Sequence, residues 1–275
     1  MDRMWKRFDQ LSGKCYMNMI SSTMDKDVWD EAFDALVGII ESERKVNPDF
    51  AGELYQVDDE TDFAHDVSGF LEDYMDELDM HKMYERLYEV CKTLLGMFHW
   101  VEDESTDIRF VLSKALKGQG KIGEAVVFCE RWHQEAVKNQ SEEAGQVSAA
   151  ALVYAQTDAG ELAGAEKVVK EYLPDNGKCC EENEMIWRAA VRLYETMGEK
   201  DKARRMRRSL EKYEDEVDKM MEKEFTDFGE LFAGDEDEDW DFEDYGDEDW
   251  DFEDYGDEDW DDEDEDGNDD ELPFS

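Results

Sequence analysis

Cys129 and His133 stand four residues apart in a stretch of helical periodicity, so both project from one face, the spacing of two metal ligands on a helix. Two ligands do not complete a site. Cys129 also shares an apolar stripe with Val126 and Val127, so the expectation is a buried structural thiol. Near the C-terminus, Asp262, Asp264, Asp266 and Gly267 match the D-x-D-x-D-G opening of an EF-hand calcium loop. Its twelfth position, which needs a bidentate glutamate, is Pro273, and neither flank has a helical pattern, so specific calcium binding is not expected. The vicinal pair Cys179 and Cys180 offers redox chemistry, with a loop position as the simpler reading. His65, His81 and His99 fall in separate segments and form no triad or ligand cluster. No glycine-rich phosphate loop, G-x-S-x-G elbow, H-E-x-x-H or CxxC occurs, so neither an enzyme nor a cofactor or metal site is expected.

The C-terminal tail is of another kind. EDEDWDFEDY, GDEDWDFEDY and GDEDWDDEDE follow one another from Glu236 to Glu265. They place Trp240, Phe242 and Tyr245 in the first unit, Trp250, Phe252 and Tyr255 in the second, and Trp260 in the third. Of the chain's 78 acidic residues, 26 lie in residues 234–275, which hold no Lys or Arg; residues 1–233 keep 52 against 30 basic residues. The net charge is thus −22 for the body and −26 for the tail, within a total of −48. Such a surface repels nucleic-acid phosphates and anionic lipid, because each phosphate contact needs a cation to replace a released counterion. Basic protein or peptide partners are the natural complement, and neither direct nucleic-acid binding nor a membrane role is expected. With no hydrophobic material to bury, the tail is expected to be disordered. Regularly spaced aromatics give it short anchors that dock while the carboxylates steer.

The densest positive charge in the body is Arg204, Arg205, Arg207 and Arg208. Nucleic-acid binding is opposed by the surrounding charge, so the patch reads either as a dock for the tail or as a solvated helix face.

The spacing from Val28 onward is helical and no strand pattern appears. One stripe holds Val28, Phe33, Leu36, Val37 and Ile40. The next helix is expected to open behind Thr61 and Asp62, with Phe63, Val67, Phe70, Leu71, Tyr74 and Leu78 facing inward. Ser105, Thr106 and Asp107 offer capping oxygens to a following helix. A last helix runs from about Lys200 to Glu224, followed by an apolar hinge, FTDFGELFAG.

GKIGEA, GELAGA and GEKDKA repeat at 40 and then 38 residues, pairing Gly120 with Ala125, Gly160 with Ala165 and Gly198 with Ala203. Glycine suits the left-handed end of one helix and alanine the close approach of the next. This pattern resembles the tetratricopeptide-type helical hairpin over roughly residues 105–215, with a more degenerate unit over residues 63–100. The pitch exceeds the ~34 residues usual for that family, and the Trp-x-x-Leu-Gly opening is absent.

The resemblance implies an all-α fold of stacked antiparallel hairpins, a tetratricopeptide-like α-solenoid, followed by the acidic tail. The expected organisation is an N-terminal helical region over residues 1–104, hairpin repeats over 105–224, and the tail over 225–275. The expected role is a cytoplasmic, non-enzymatic scaffold whose groove binds a protein or peptide. The alternative is an acidic chaperone or nucleic-acid mimic whose tail is the main binding element. Five cysteines (Cys15, Cys91, Cys129, Cys179 and Cys180) without CxxC spacing and no secretory leader pattern fit a reducing compartment.

Overall fold

The computed structural model describes residues 2–21, 23–103, 105–173 and 177–233. Every regular element among them is helical. In order these are α1 (Asp2–Ile20), α2 (Lys26–Val46), α3 (Gln56–Glu60), α4 (Val67–Met80), α5 (Tyr84–Met97) and α6 (Thr106–Gly118). There follow α7 (Ile122–Asn139), α8 (Glu142–Ala159), α9 (Leu162–Tyr172), a 3-10 turn (Glu181–Asn183), α10 (Glu184–Thr196) and α11 (Lys200–Ala233). Met1–Glu222 cluster as one compact unit and Lys223–Ser275 as another. Of the second unit, the described part is the end of α11.

The N-terminal helix α1 carries Trp5, Phe8, Leu11 and Cys15 at intervals of three and four, which buries one stripe against α2. Helix α2 begins at an N-cap, Asp25, whose carboxylate accepts from the Val28 amide. Aromatic rings then join this pair to α4. Phe8 meets Phe70 edge-on at 5.1 Å, and Trp29 stacks on Phe70 at 5.6 Å and on Tyr74 at 5.5 Å. The Tyr74 hydroxyl and the Arg86 guanidinium both donate to Asp30, and Lys26 also donates to it. Burial alone would raise the Asp30 carboxyl, but these donors outweigh it and hold the group below its ordinary range.

Helix α4 opens later than its apolar spacing suggests. Asp58, buried on α3, accepts from the amides of Val67 at 2.7 Å and Ser68 at 3.0 Å, so the cap comes from a residue nine positions upstream. Phe63 is therefore left outside the helix with φ +58°, 71% exposed, and does not face inward. Ser105 likewise does not cap α6. Its φ is +51°, its amide donates to Asp103 Oδ1 and its hydroxyl accepts from Arg109 Nε.

From α4 onward one turn closes every second helix, and Gln140 (φ +58°), with the Ser141 amide 3.2 Å from the Ala136 carbonyl, closes α7 in the same way. Helices α4, α6, α8 and α10 are followed by a residue in the left-handed region: Lys82 (φ +57°), Gly120 (+74°), Gly160 (+78°) and Gly198 (+76°). The next amide reaches back in each case, Met83 to the Leu78 carbonyl at 2.8 Å, Lys121 to Leu116 at 3.0 Å, Glu161 to Gln156 at 2.8 Å and Glu199 to Tyr194 at 2.9 Å. This is the Schellman closure, which satisfies carbonyls that a helix end would otherwise leave bare. The following helices start alike, with the amides of Leu87, Ala125, Ala165 and Ala203 donating to the carbonyls of Met83, Lys121, Glu161 and Glu199. All four of these side chains are buried, three of them small enough to let the paired helices close together. The first hairpin, α4–α5, thus has the same turn with Lys82 where the others have glycine and Leu87 where they have alanine.

The hairpins pack in chain order. Helix α6 lies against α5 and α7, while α8 lies against α6, α7, α9 and α10. Enclosure by four neighbours explains why α8 is built from Ala144, Ala149, Ala150, Ala151 and Ala155, all buried, rather than from a single apolar stripe. Its N-cap, Ser141, accepts from the Ala144 amide at 3.1 Å. The first half of α11 carries buried Ala203 and Leu210 and joins α10 through the pairs Arg188–Glu214 and Arg207–Glu195. The helix then runs on to Ala233, past Glu224, so FTDFGELFA is helical and not a hinge.

The left-handed turns predict opposite responses at two sites. Gly160→Val places a branched β-carbon where φ is +78° and should lower stability by about 1 kcal/mol or more. Lys82→Gly relieves an L-residue of the same conformation and should raise stability by up to about 1 kcal/mol. Urea midpoints at unchanged m-value read both. Equal midpoints for the two variants would contradict the shared turn.

Candidate protein-binding surfaces

Three ridge-like helices, α6, α8 and α10, are tied together on one side by charged and aromatic side chains. Tyr154 of α8 lies between Lys117 of α6, 5.2 Å from its ring, and Arg192 of α10, 5.8 Å away. Asp158, one turn further along α8, pairs with both cations. Burial lowers the Lys117 ammonium, and Asp158 opposes that shift. This cluster cross-links α6, α8 and α10.

An acidic cleft of about 450 Å³ opens between α4 and α6. Its floor is Leu71, Met75 and Ile108, all buried, with Leu54, Trp100 and Val111 half-buried at its sides. Its charged lining consists of Glu72 and Asp76 from α4, Asp103 from the preceding loop and Asp107 from the first turn of α6, with no Lys or Arg. Beside it on α4, burial and then the charges of Asp76 and Asp66 push the Asp73 carboxyl above its ordinary range. Thr106, 7% exposed, also lines the cleft, and its buried Oγ1 has no hydrogen-bond partner among the described residues. No linear motif announces this site, because its walls come from residues 54–55, 68–76 and 100–111.

A second cleft, of about 530 Å³, has the opposite charge. Lys170 of α9 and Lys202 and Arg205 of α11 surround Leu173, Trp187, Tyr194 and Met206. Lys202 sits 5.0 Å from the Tyr194 ring and pairs with Glu166 at 3.4 Å. Arg204, Arg205, Arg207 and Arg208 are all exposed. Arg207 pairs with Glu195, whereas Arg204, Arg205 and Arg208 have no ion pair among the described residues. The aromatic residues of the tail, Trp240 to Trp260, and the EF-hand-like run from Asp262 lie outside the described residues.

Cys129 and His133 do sit on one helix, but they serve different contacts. Cys129 is fully buried, and burial pushes its thiol up to about 12. His133 Nδ1 lies 3.0 Å from Ser148 Oγ, and burial lowers the imidazole. Val126 is buried beside Cys129, whereas Val127 is 65% exposed and lies off that stripe. His65 stacks on Trp5 at 4.3 Å and pairs with Asp9, while His81 follows the last turn of α4. Among the described residues, no three His, Cys, Asp or Glu side chains converge as metal ligands. Burial also pushes Cys15, Cys91 and Cys179 up to about 12, so these thiols stay protonated at neutral pH. No described helix is long and apolar enough to cross a membrane.

Together these elements define an all-α array of helical hairpins with one acidic and one basic cleft. Comparison with protein-family models, with curated proteins and with solved structures finds no match.

Proposed function

We propose that the chain is a non-enzymatic scaffold of the tetratricopeptide-like kind, which binds a protein or peptide on the surface of its stacked hairpins and carries an acidic, aromatic tail for basic partners. The observation that supports this reading is one turn recurring at the ends of α4, α6, α8 and α10, each followed by a helix that starts alike. Hairpins of this kind bury their cores against neighbours and leave a continuous surface for a ligand. Five free cysteines suit a reducing, cytoplasmic setting, and the burial of Cys129 and Cys91 disfavours a role in thiol chemistry.

The tail is proposed to act in trans on basic partners or in cis on the arginine patch. Energy transfer between α11 and a label at position 250 should show a distance that lengthens from 0.1 to 1 M salt, as the Debye length falls from ~10 to ~3 Å. A distance indifferent to salt and to replacement of the four arginines by glutamine would leave the tail acting only in trans.

Affinity capture with the full chain, the chain ending at residue 234 and the tail alone tests the main reading. The principal partner should be retained without the tail. Its loss from the shortened chain and capture by the tail alone would favour the acidic chaperone or nucleic-acid mimic instead.

A further inference from the structure

Resting on the scaffold reading, we propose that the cleft between α4 and α6 binds an extended basic peptide in which a Lys or Arg neighbours an aliphatic or aromatic residue. The apolar side chain sits on Leu71, Met75 and Ile108, and the cation sits among Glu72, Asp76, Asp103 and Asp107.

Charge complementarity selects the occupant. Four carboxylates line one cleft without a cation, and none of the four has an ion pair among the described residues. The basic side chains in the first three turns of α6 are engaged elsewhere, Arg109 with Ser105 and Glu135 and Lys114 with Asp79. Glu72 and Asp76 are like charges four residues apart on α4, and a bound cation offsets their repulsion. The second observation is Thr106. Its hydroxyl is sealed from water and unpartnered, and an unmade hydrogen bond of this kind is costly. A peptide pressed into the cleft supplies the missing partner through its backbone once the lining shifts enough to uncover Oγ1. An apolar floor ringed by carboxylates is thus suited to a mixed side-chain pattern and poorly suited to a purely charged ligand, which would gain nothing from Leu71, Met75 and Ile108.

The probe is a fluorescein-labelled peptide of ten residues alternating lysine and leucine, titrated into the full chain and followed by anisotropy. A control peptide has serine for each leucine. The full chain should bind the leucine peptide more tightly than the serine peptide. The triple variant Glu72→Gln, Asp76→Asn and Asp107→Asn should weaken that binding about tenfold or more, the combined worth of three exposed ion pairs. All three side chains are exposed, so circular dichroism should be unchanged. Thr106→Val should weaken binding by a smaller factor that does not depend on salt.

Equal affinity for the two peptides would mean that the carboxylates of the tail collect the probe, and would overturn the proposal. Unchanged affinity in the triple variant would also overturn it. In that case the scaffold reading would stand, because it rests on capture by the chain without its tail and not on this cleft.

Discussion

Trp29→Ala should destabilise the described unit by about 3–5 kcal/mol, the usual cost of deleting a fully buried indole. Trp29 has no exposed surface, and its ring stacks on both Phe70 and Tyr74, so it joins α2 to α4 from the middle of the N-terminal core. The indole Nε1 is buried without a hydrogen-bond partner. That detail sharpens the prediction, because Trp29→Phe keeps the stack, loses no hydrogen bond and should cost much less than the alanine change. Urea unfolding monitored at 222 nm reads the difference. Near-equal midpoints for the alanine and phenylalanine variants would mean that Trp29 does not join the two helices.

Arg44→Met should cost about 3 kcal/mol for a different reason. The Arg44 guanidinium donates to three backbone carbonyls, of Phe50, Ala51 and Met97, and lies 5.1 Å from the Phe98 ring. It thereby fastens the end of α2 to the following loop and to the end of α5. Burial depresses its pKa, yet a guanidinium stays charged throughout the accessible range. Methionine keeps the aliphatic bulk and removes every donor, leaving three carbonyls short of partners at ~1 kcal/mol each. Arg44→Lys should recover only part of the loss, because one ammonium cannot match the forked geometry at three acceptors. Full recovery by lysine would reduce the contact to simple charge.

The turns and the first hairpin differ in how plainly they can be read from residues alone. Gly120, Gly160 and Gly198 are visible in the sequence because a left-handed helix end strongly favours glycine, and Ala125, Ala165 and Ala203 mark the close approach that follows. The hairpin α4–α5 makes the same turn but hides it, since Lys82 tolerates the left-handed conformation and buried Leu87 replaces the small residue. Helix α1 is equally quiet, its stripe of Trp5, Phe8, Leu11 and Cys15 being diluted by charged neighbours. The start of α4 depends on Asp58, a non-local cap that local capping patterns do not capture. The arginine patch is a linear feature, whereas the acidic cleft needs three separated segments to meet, and no spacing rule joins them.

Amide hydrogen exchange at four positions tests most directly whether the chain is an array of equivalent hairpins. Met83, Lys121, Glu161 and Glu199 each donate back across a turn, at 2.8, 3.0, 2.8 and 2.9 Å. All four amides should be protected well beyond those of exposed loop residues whose amides make no hydrogen bond, and Met83 should be protected despite the absence of glycine before it. Protection at the three glycine-preceded sites with free exchange at Met83 would remove the first hairpin from the array, and free exchange at all four would contradict the account as a whole.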